Sequence, residues 1–390
     1  MEIKPRKLIS QLEAEIAKPT KKIIFLWGPR QTGKSTILNY LRQKFGGSYF
    51  NFDDLNDQKL FVPELAKLQS SIEQKNNNPQ SKLVFIDEIQ KSPESTQSLK
   101  ILADNADYLI IATGSSELRA KTQQFDTLAG RYKEFVLFPL TIDEIALFHD
   151  ANFKFKESLS FADRNLLNHY LEENMIYGSY PGVILATNKI EEIKNISQNS
   201  VVKDIVNIYD LKDADLVYNL LRLLAMQIGN LINITEIASS LKTTKPTIDN
   251  YLSILTKNRI IYLLEPYRTN KRRAYLGRKK VFFYDLGIRN SLIDDFRPLN
   301  LRPDLGAVFE NLVVMGAWRQ INYQRNNNKL HYFREISGSR KEIDLIIETP
   351  DGKKTGHEIK MNNGKVNEFP ELKIEKYDII SQETAPDFLI

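Results

Sequence analysis

The chain contains no cysteine. That excludes a disulfide framework and any thiolate metal site, and it fits a reducing, cytoplasmic setting. Histidine is almost as scarce. His149, His169, His331 and His357 are scattered, and none has the spacing of a structural zinc centre. No apolar stretch approaches the length of a membrane span, so no membrane partner is expected. The start, Met1-Glu2-Ile3-Lys4-Pro5, has no apolar signal core. Charge of one sign is also limited. The net value of +5 permits nucleic-acid binding without demanding it. What is present is globular: 390 residues, 42% hydrophobic and 26% charged, enough for two or three domains.

The most specific stretch is Gly28-Pro29-Arg30-Gln31-Thr32-Gly33-Lys34-Ser35. It follows the apolar run Ile23-Ile24-Phe25-Leu26-Trp27 and precedes Thr36-Ile37-Leu38-Asn39-Tyr40-Leu41, a strand–loop–helix order. The pattern is a complete P-loop. Gly28 and Gly33 let the backbone turn and approach a ligand closely. The amides from Thr32 to Ser35 are expected to point at phosphate oxygens, aided by the helix N-terminus. Lys34 is expected at the β- and γ-phosphates, and Ser35 at Mg²⁺. Residues Gly28 to Thr36 thus form the expected ATP-binding loop, with Pro29, Arg30 and Gln31 at its crest.

Downstream, Leu83-Val84-Phe85-Ile86-Asp87-Glu88 is an apolar run ending in two acids, which a buried parallel strand delivers to a nucleotide site. Asp87 is expected to support Mg²⁺, and Glu88 to act as the base that orients the attacking water. The run Tyr108-Leu109-Ile110-Ile111-Ala112-Thr113-Gly114-Ser115-Ser116 is a further strand, from which Thr113 or Ser115 is placed to sense the γ-phosphate. Arg131, before a strand over 134–138, is a candidate phosphate contact in its own or a neighbouring subunit. Strands alternating with helices give an α/β domain with a parallel sheet. Two groups of helices follow between Thr141 and about Asp215. The Gly178-Ser179-Tyr180-Pro181-Gly182 knot between them reads as a lid or hinge.

Residues 235–241 and 245–255 are two short helices around the turn Lys242-Thr243-Thr244, the spacing of a helix-turn-helix. Strand-like runs over 260–264 and 281–284 follow. The loop between them, over 268–280, has seven basic residues and no acid. A basic wing would set Lys271, Arg272, Arg273, Arg278, Lys279 and Lys280 beside DNA phosphates. A solvated hairpin in a protein-binding module has the same pattern. In the last quarter, Glu310 lies on a helix, Asp344 on one strand, and Glu358 and Lys360 two apart on the next. Asp344 and Glu358 are candidate Mg²⁺ ligands with Glu310 as an outer one, and Lys360 is placed to activate water. The order suits a restriction-endonuclease-like fold.

Taken in sequence, these pieces resemble a prokaryotic group of AAA-type ATPases with a C-terminal domain of unknown function similar to PD-(D/E)xK nucleases. The resemblance runs from about Lys22 to Lys360. It is carried by the 28–35 loop, Asp87-Glu88, Gly114-Ser115-Ser116, Leu128-Ala129-Gly130-Arg131, residues 138–144 and the 178–182 knot. Tyr284-Asp285-Leu286-Gly287, Phe309-Glu310-Asn311, Glu342-Ile343-Asp344 and Glu358-Ile359-Lys360 complete it. The tail beyond about Asn367 falls outside it. The resemblance implies an AAA-type P-loop ATPase core over 1–145 and a helical lid or linker over 146–215. A winged helix-turn-helix over 216–295 and a nuclease-like α/β domain over 296–390 follow. ATP and Mg²⁺ are the expected cofactors; DNA, a protein bound through the winged helix, and further copies of the chain are candidate partners. Two functions stay open: a DNA-associated ATPase, with metal-dependent DNA cleavage undecided, and a nucleotide-controlled protein-interaction switch on an inactive nuclease-like scaffold.

Overall fold

A computed structural model describes residues 4–114, 128–150, 159–202, 206, 213–268, 277–335, 341–362 and 366–390. Ser115, Lys271, Arg272 and Arg273 lie outside the described residues. The chain divides into two compact units, Met1–Pro139 and Leu140–Ile390.

The first unit runs α1 (Lys7–Ala17), β1 (Ile23–Trp27), α2 (Lys34–Phe45), β2 (Ser48–Asn51), α3 (Leu55–Leu60), α4 (Leu65–Lys75), β3 (Leu83–Asp87), α5 (Thr96–Asn105), β4 (Leu109–Gly114) and β5 (Tyr132–Val136). Its five strands are ordered β2-β3-β4-β1-β5, and every pairing is parallel. All residues of β1, β3 and β4 are buried. Both faces of these strands are covered, which is why they read as continuous apolar runs rather than alternations. Ile23, Phe25 and Trp27, with Val84, Ile86, Ile110 and Ala112, share one face and pack with Leu68, Ile72, Leu99 and Leu102 of α4 and α5. The order has one consequence for chemistry. β4 stands between β1 and β3, with Trp27 opposite Gly114 and Ile86 opposite Ala112. The loop after β1, Asp87 and Glu88 at the end of β3, and Thr113 near the end of β4 therefore meet at the C-terminal ends of the strands.

The second unit begins with α6 (Ile142–Phe148), α7 (Phe161–Tyr177), α8 (Pro181–Leu185) and α9 (Lys189–Asn195). Next come α10 (Ala214–Met226), α11 (Ile234–Ser240), α12 (Lys245–Lys257), β6 (Ile261–Pro266) and β7 (Lys280–Phe283). It closes with α13 (Leu286–Ile293), α14 (Leu305–Gln324), β8 (Lys329–Arg334), β9 (Glu342–Glu348), β10 (Lys354–Ile359), β11 (Lys376–Ile380) and α15 (Ala385–Leu389). One six-stranded sheet, β11-β10-β9-β8-β6-β7, crosses the boundary expected at 295/296. The cause is β6, which pairs antiparallel with β7 on one side and parallel with β8 on the other, Glu265 opposite His331. Asn311 of α14 covers part of the edge strand β7. Its carbonyl accepts from Phe283 N at 2.7 Å and its amide donates to Phe283 O at 2.9 Å, as a neighbouring strand would.

The 178–182 knot is not a loose hinge. Ser179 is fully buried and Tyr180 is 4% exposed. Asp285 caps α13 by accepting from Ile288 N, and its other oxygen accepts from Ser179 N at 2.7 Å. Gly178 has φ +79°, and a Cβ there would lie 2.1 Å from Asp285 Oδ1. Arg319 of α14 donates to Leu140 O at 3.1 Å and to Ser179 Oγ at 3.3 Å, and also to Tyr284 O. Burial pushes the Asp285 carboxyl up and the Arg319 guanidinium down, each opposed by the other's charge. Gly and Pro marked the turn correctly, but the turn is clamped from two distant segments.

Candidate active site

Gly28 leaves β1 with φ +156°, and a Cβ on it would stand 2.3 Å from the Leu137 carbonyl oxygen. Only glycine fits that approach. Gln31 takes a left-handed φ of 61° at the exposed crest, between half-buried Arg30 and buried Thr32. Gly33, left-handed at φ 97°, is the N-cap of α2. Lys34 is 4% exposed, and its Nζ lies inside the loop, donating to Gly28 O at 3.0 Å and Pro29 O at 2.8 Å. Ser35 and Thr36 are exposed on the first turn of α2. Arg6, which the sequence did not single out, underpins the loop: its two Nη groups donate to Thr32 O at 2.6 Å and Phe138 O at 2.7 Å.

The acids sit beside this loop at the same end of the strands. Asp87 is 5% exposed; Tyr49 OH donates to its Oδ2 at 3.0 Å, and Thr113 Oγ1 donates to its Oδ1. The Thr113 oxygen in turn accepts from Glu88 N at 3.3 Å. Burial, and then the Asp87 charge, push the Tyr49 phenol well above its ordinary value. Glu88 has φ 57° and ψ 46°, a left-handed backbone that costs a non-glycine residue about 1–3 kcal/mol. Gln90 Nε2 donates to Glu88 Oε2. Thr113 therefore ties the two acids together. Of the two expected hydroxyls, Thr113 is the one described. Tyr49 and Gln90 were not anticipated. Tyr49 is found through the alternation of β2, since it sits two residues from Asn51, which is in register with Asp87.

Arg131 is elsewhere. Its carbonyl accepts from Ile23 N, at the start of β1, so it lies about 13 Å along the strands from the loop. Its guanidinium is bidentate on Asp104, at 2.6 and 3.0 Å. At that distance it does not reach its own P-loop, and contact with phosphate in a neighbouring subunit is the other half of the expectation.

The last quarter does bring Glu310, Asp344, Glu358 and Lys360 together. Lys280, expected on the wing, is 4% exposed and lies among them. Its Nζ is 2.8 Å from Glu310 Oε1, in contact with Glu342 Oε1, and 3.8 Å from Asp344 Oδ1. Lys360 Nζ is 3.0 Å from Glu358 Oε1, and Ile359 N donates to Asp344 Oδ2 at 2.9 Å. Burial works against the Lys280 charge, yet Glu310, Glu342 and Asp344 outweigh it and hold its pKa above the ordinary value. Burial pushes Glu310 up to about 7, with Asp344 adding and Lys280 opposing. Among the described residues, no three His, Cys, Asp or Glu side chains group as metal ligands. The DNA-contact role expected for Lys280 does not fit its burial among these carboxylates. Lys279 pairs with Glu265 at 2.8 Å, while Arg278 is exposed.

Residues 20–146 match the family model of an AAA domain. Residues 168–301 match a domain of unknown function, DUF8612, and residues 305–390 match another, DUF4143. The second of these runs to Ile390, so it takes in the tail beyond Asn367 that the resemblance leaves out. An uncharacterized protein of Haemophilus influenzae is 27% identical over 350 residues, covering 86% of this chain and 81% of that one. Uncharacterized protein MJ1637 of Methanocaldococcus jannaschii is 25% identical, covering 90% and 80%. The solved Walker-type ATPase of Pyrococcus abyssi aligns with a TM-score of 0.48 at 16% identity, over 75% of this chain and 96% of that one. No helix among the described residues is long and apolar enough to cross a membrane. Residues 20–146, which hold the P-loop, are thus similar to an AAA domain, and they are followed by two segments similar to domains of unknown function.

Proposed function

We propose that the chain binds and hydrolyses ATP in its first unit and uses the nucleotide state to control a DNA-contacting second unit. One observation carries the catalytic half: the Thr113 hydroxyl joins Asp87 to the strained backbone of Glu88, beside the P-loop. Strain held at one acid of a pair is the mark of a placed catalytic group. The amides of residues 32–35 and the start of α2 bind the phosphates, and Lys34 neutralises their charge. Magnesium, held by Ser35 and Asp87, would neutralise phosphate charge when bound with ATP. The exposed Ser35 hydroxyl and the Asp87 carboxylate form a hard oxygen donor set that fits it. Glu88 orients water and takes its proton, with Gln90 fixing its carboxylate.

The DNA-contacting half rests on the helix pair α11–α12 and the antiparallel pair β6 and β7, an order that supports a winged helix-turn-helix reading. Thr244 caps α12 by accepting from Thr247 N, and Ile248, Leu252 and Leu255 are buried beneath it. Lys245, Asn250, Ser253 and Lys257 are exposed on the same helix, alongside Asp249. Lys271, Arg272, Arg273 and Arg278 would add phosphate contacts.

The test has two arms. Lys34→Ala and Glu88→Gln should remain folded by circular dichroism, with turnover under Glu88→Gln falling about 10²–10⁴-fold. Unchanged turnover in both defeats the catalytic assignment. Replacing Lys271, Arg272 and Arg273 by alanine should flatten the slope of log K against log salt for duplex DNA by about 2.7, or 0.9 per lost phosphate contact. An unchanged slope favours the protein-interaction switch.

A further inference from the structure

The carboxylate cluster of the second unit is used neither by ATP turnover nor by the helix–hairpin module. Glu310 comes from α14, Glu342 and Asp344 from β9, and Glu358 from β10, while Lys280 enters from β7. A nuclease-like tail would hold a divalent metal here. We propose that the Lys280 ammonium is the resident cation of this cluster, so that the second unit is not a metal-dependent nuclease.

The geometry argues for it from each side of the nitrogen. An ammonium has three donors, and three carboxylates converge on this one: Glu310 at 2.8 Å, Glu342 in contact, and Asp344 at 3.8 Å. The Tyr332 ring, 5.6 Å from Nζ to its centroid, faces the same charge. A hard divalent ion needs six or more oxygens within about 2.0–2.6 Å. Any position that gathers Glu310, Glu342 and Asp344 at that range is the position of the ammonium or one beside it, and two cations there repel. The other oxygens are engaged too. Asp344 Oδ2 takes the Ile359 amide, and Glu358 Oε1 takes Lys360. Glu358 Oε2 is the one buried oxygen of the cluster without a hydrogen-bond partner, and a single orphan does not make a cation site. Four carboxylates face two ammoniums, so the cluster is already short of positive charge and losing Lys280 deepens the deficit. Removing that side chain leaves a cavity lined by oxygen and short of one cation.

The experiment is Mn²⁺ titration of the nucleotide-free full chain, read by electron paramagnetic resonance of the free ion and by thermal shift. Wild type and Asp344→Asn should behave alike, because neither offers a metal position at the cluster. Lys280→Met should gain saturable Mn²⁺ binding at least tenfold tighter than wild type, with a matching rise in melting temperature. Adding Asp344→Asn to Lys280→Met should abolish the gain. Mn²⁺ binding by wild type that is lost in Asp344→Asn overturns the proposal, as does a folded Lys280→Met that gains nothing. If Lys280→Met does not fold, the wild-type and Asp344→Asn pair decides alone. The same pair is incubated with plasmid and Mn²⁺, where cutting by wild type and not by Asp344→Asn would also overturn it.

Discussion

Thr113→Val replaces a hydroxyl by a methyl of nearly the same shape and removes two hydrogen bonds at once. Thr113 is fully buried, so water cannot substitute for either. The bond to the Asp87 carboxylate involves a charged acceptor and is worth about 1.5–3 kcal/mol, and leaving the Glu88 amide unpaired costs about 1–3 kcal/mol more. The added methyl recovers roughly 1 kcal/mol of apolar burial. The net loss of stability is therefore about 1.5–5 kcal/mol. The larger effect is catalytic. Glu88 holds its left-handed backbone against about 1–3 kcal/mol of strain. Without Thr113 that strain relaxes and the carboxylate shifts, and a displacement near 1 Å lowers kcat by about 10²-fold. Nucleotide affinity should change by less than about threefold, under 1 kcal/mol, since the P-loop contacts stay. Urea unfolding, steady-state turnover and fluorescent-nucleotide binding measure the three quantities. Thr113→Ser keeps the hydroxyl and should retain most of the activity. Wild-type kcat in Thr113→Val would refute the reasoning outright.

Three further perturbations test other parts of the molecule. Burial holds the His357 imidazole down to about 4 from an ordinary 6.5, so the unfolded chain binds the extra proton between those values. Stability should fall as pH drops from about 6.5 toward 4, by up to about 3 kcal/mol, and His357→Gln should flatten that part of the profile. Gly28→Ala drives a Cβ onto the Leu137 carbonyl and should cost about 1–3 kcal/mol in urea unfolding while weakening ATP binding. Asn311→Leu leaves both Phe283 backbone groups unpaired and should cost about 2–4 kcal/mol by the same assay, with ATP affinity unchanged.

What was legible in the sequence was local. The β1–loop–α2 unit, the acids after β3 and the helix pair α11–α12 are each specified by neighbours within about twenty residues, through apolar runs, glycines and caps. Their meeting is set by strand order, and nothing local to β4 tells that it inserts between β1 and β3. The same limit explains the errors. Lys280 was counted with a run of cations because charge was read along one dimension, although it heads the buried strand Lys280-Val281-Phe282-Phe283. The partners of Arg131 and of the 178–182 knot, namely Asp104, Asp285 and Arg319, are distant in sequence and so leave no local signal. Arg6 left no signal at all, since it acts on carbonyls 26 and 132 residues away.

That arginine has a mechanical meaning. A guanidinium is flat and stiff, and this one is 7% exposed, with one corner on the Thr32 carbonyl and another on the Phe138 carbonyl. The first acceptor lies in the phosphate loop, and the second is the last but one residue of the first unit. Arg6 is thus a strut between the Gly28–Ser35 loop and the end of the first unit's chain, so a change in either one is felt by the other without crossing the sheet.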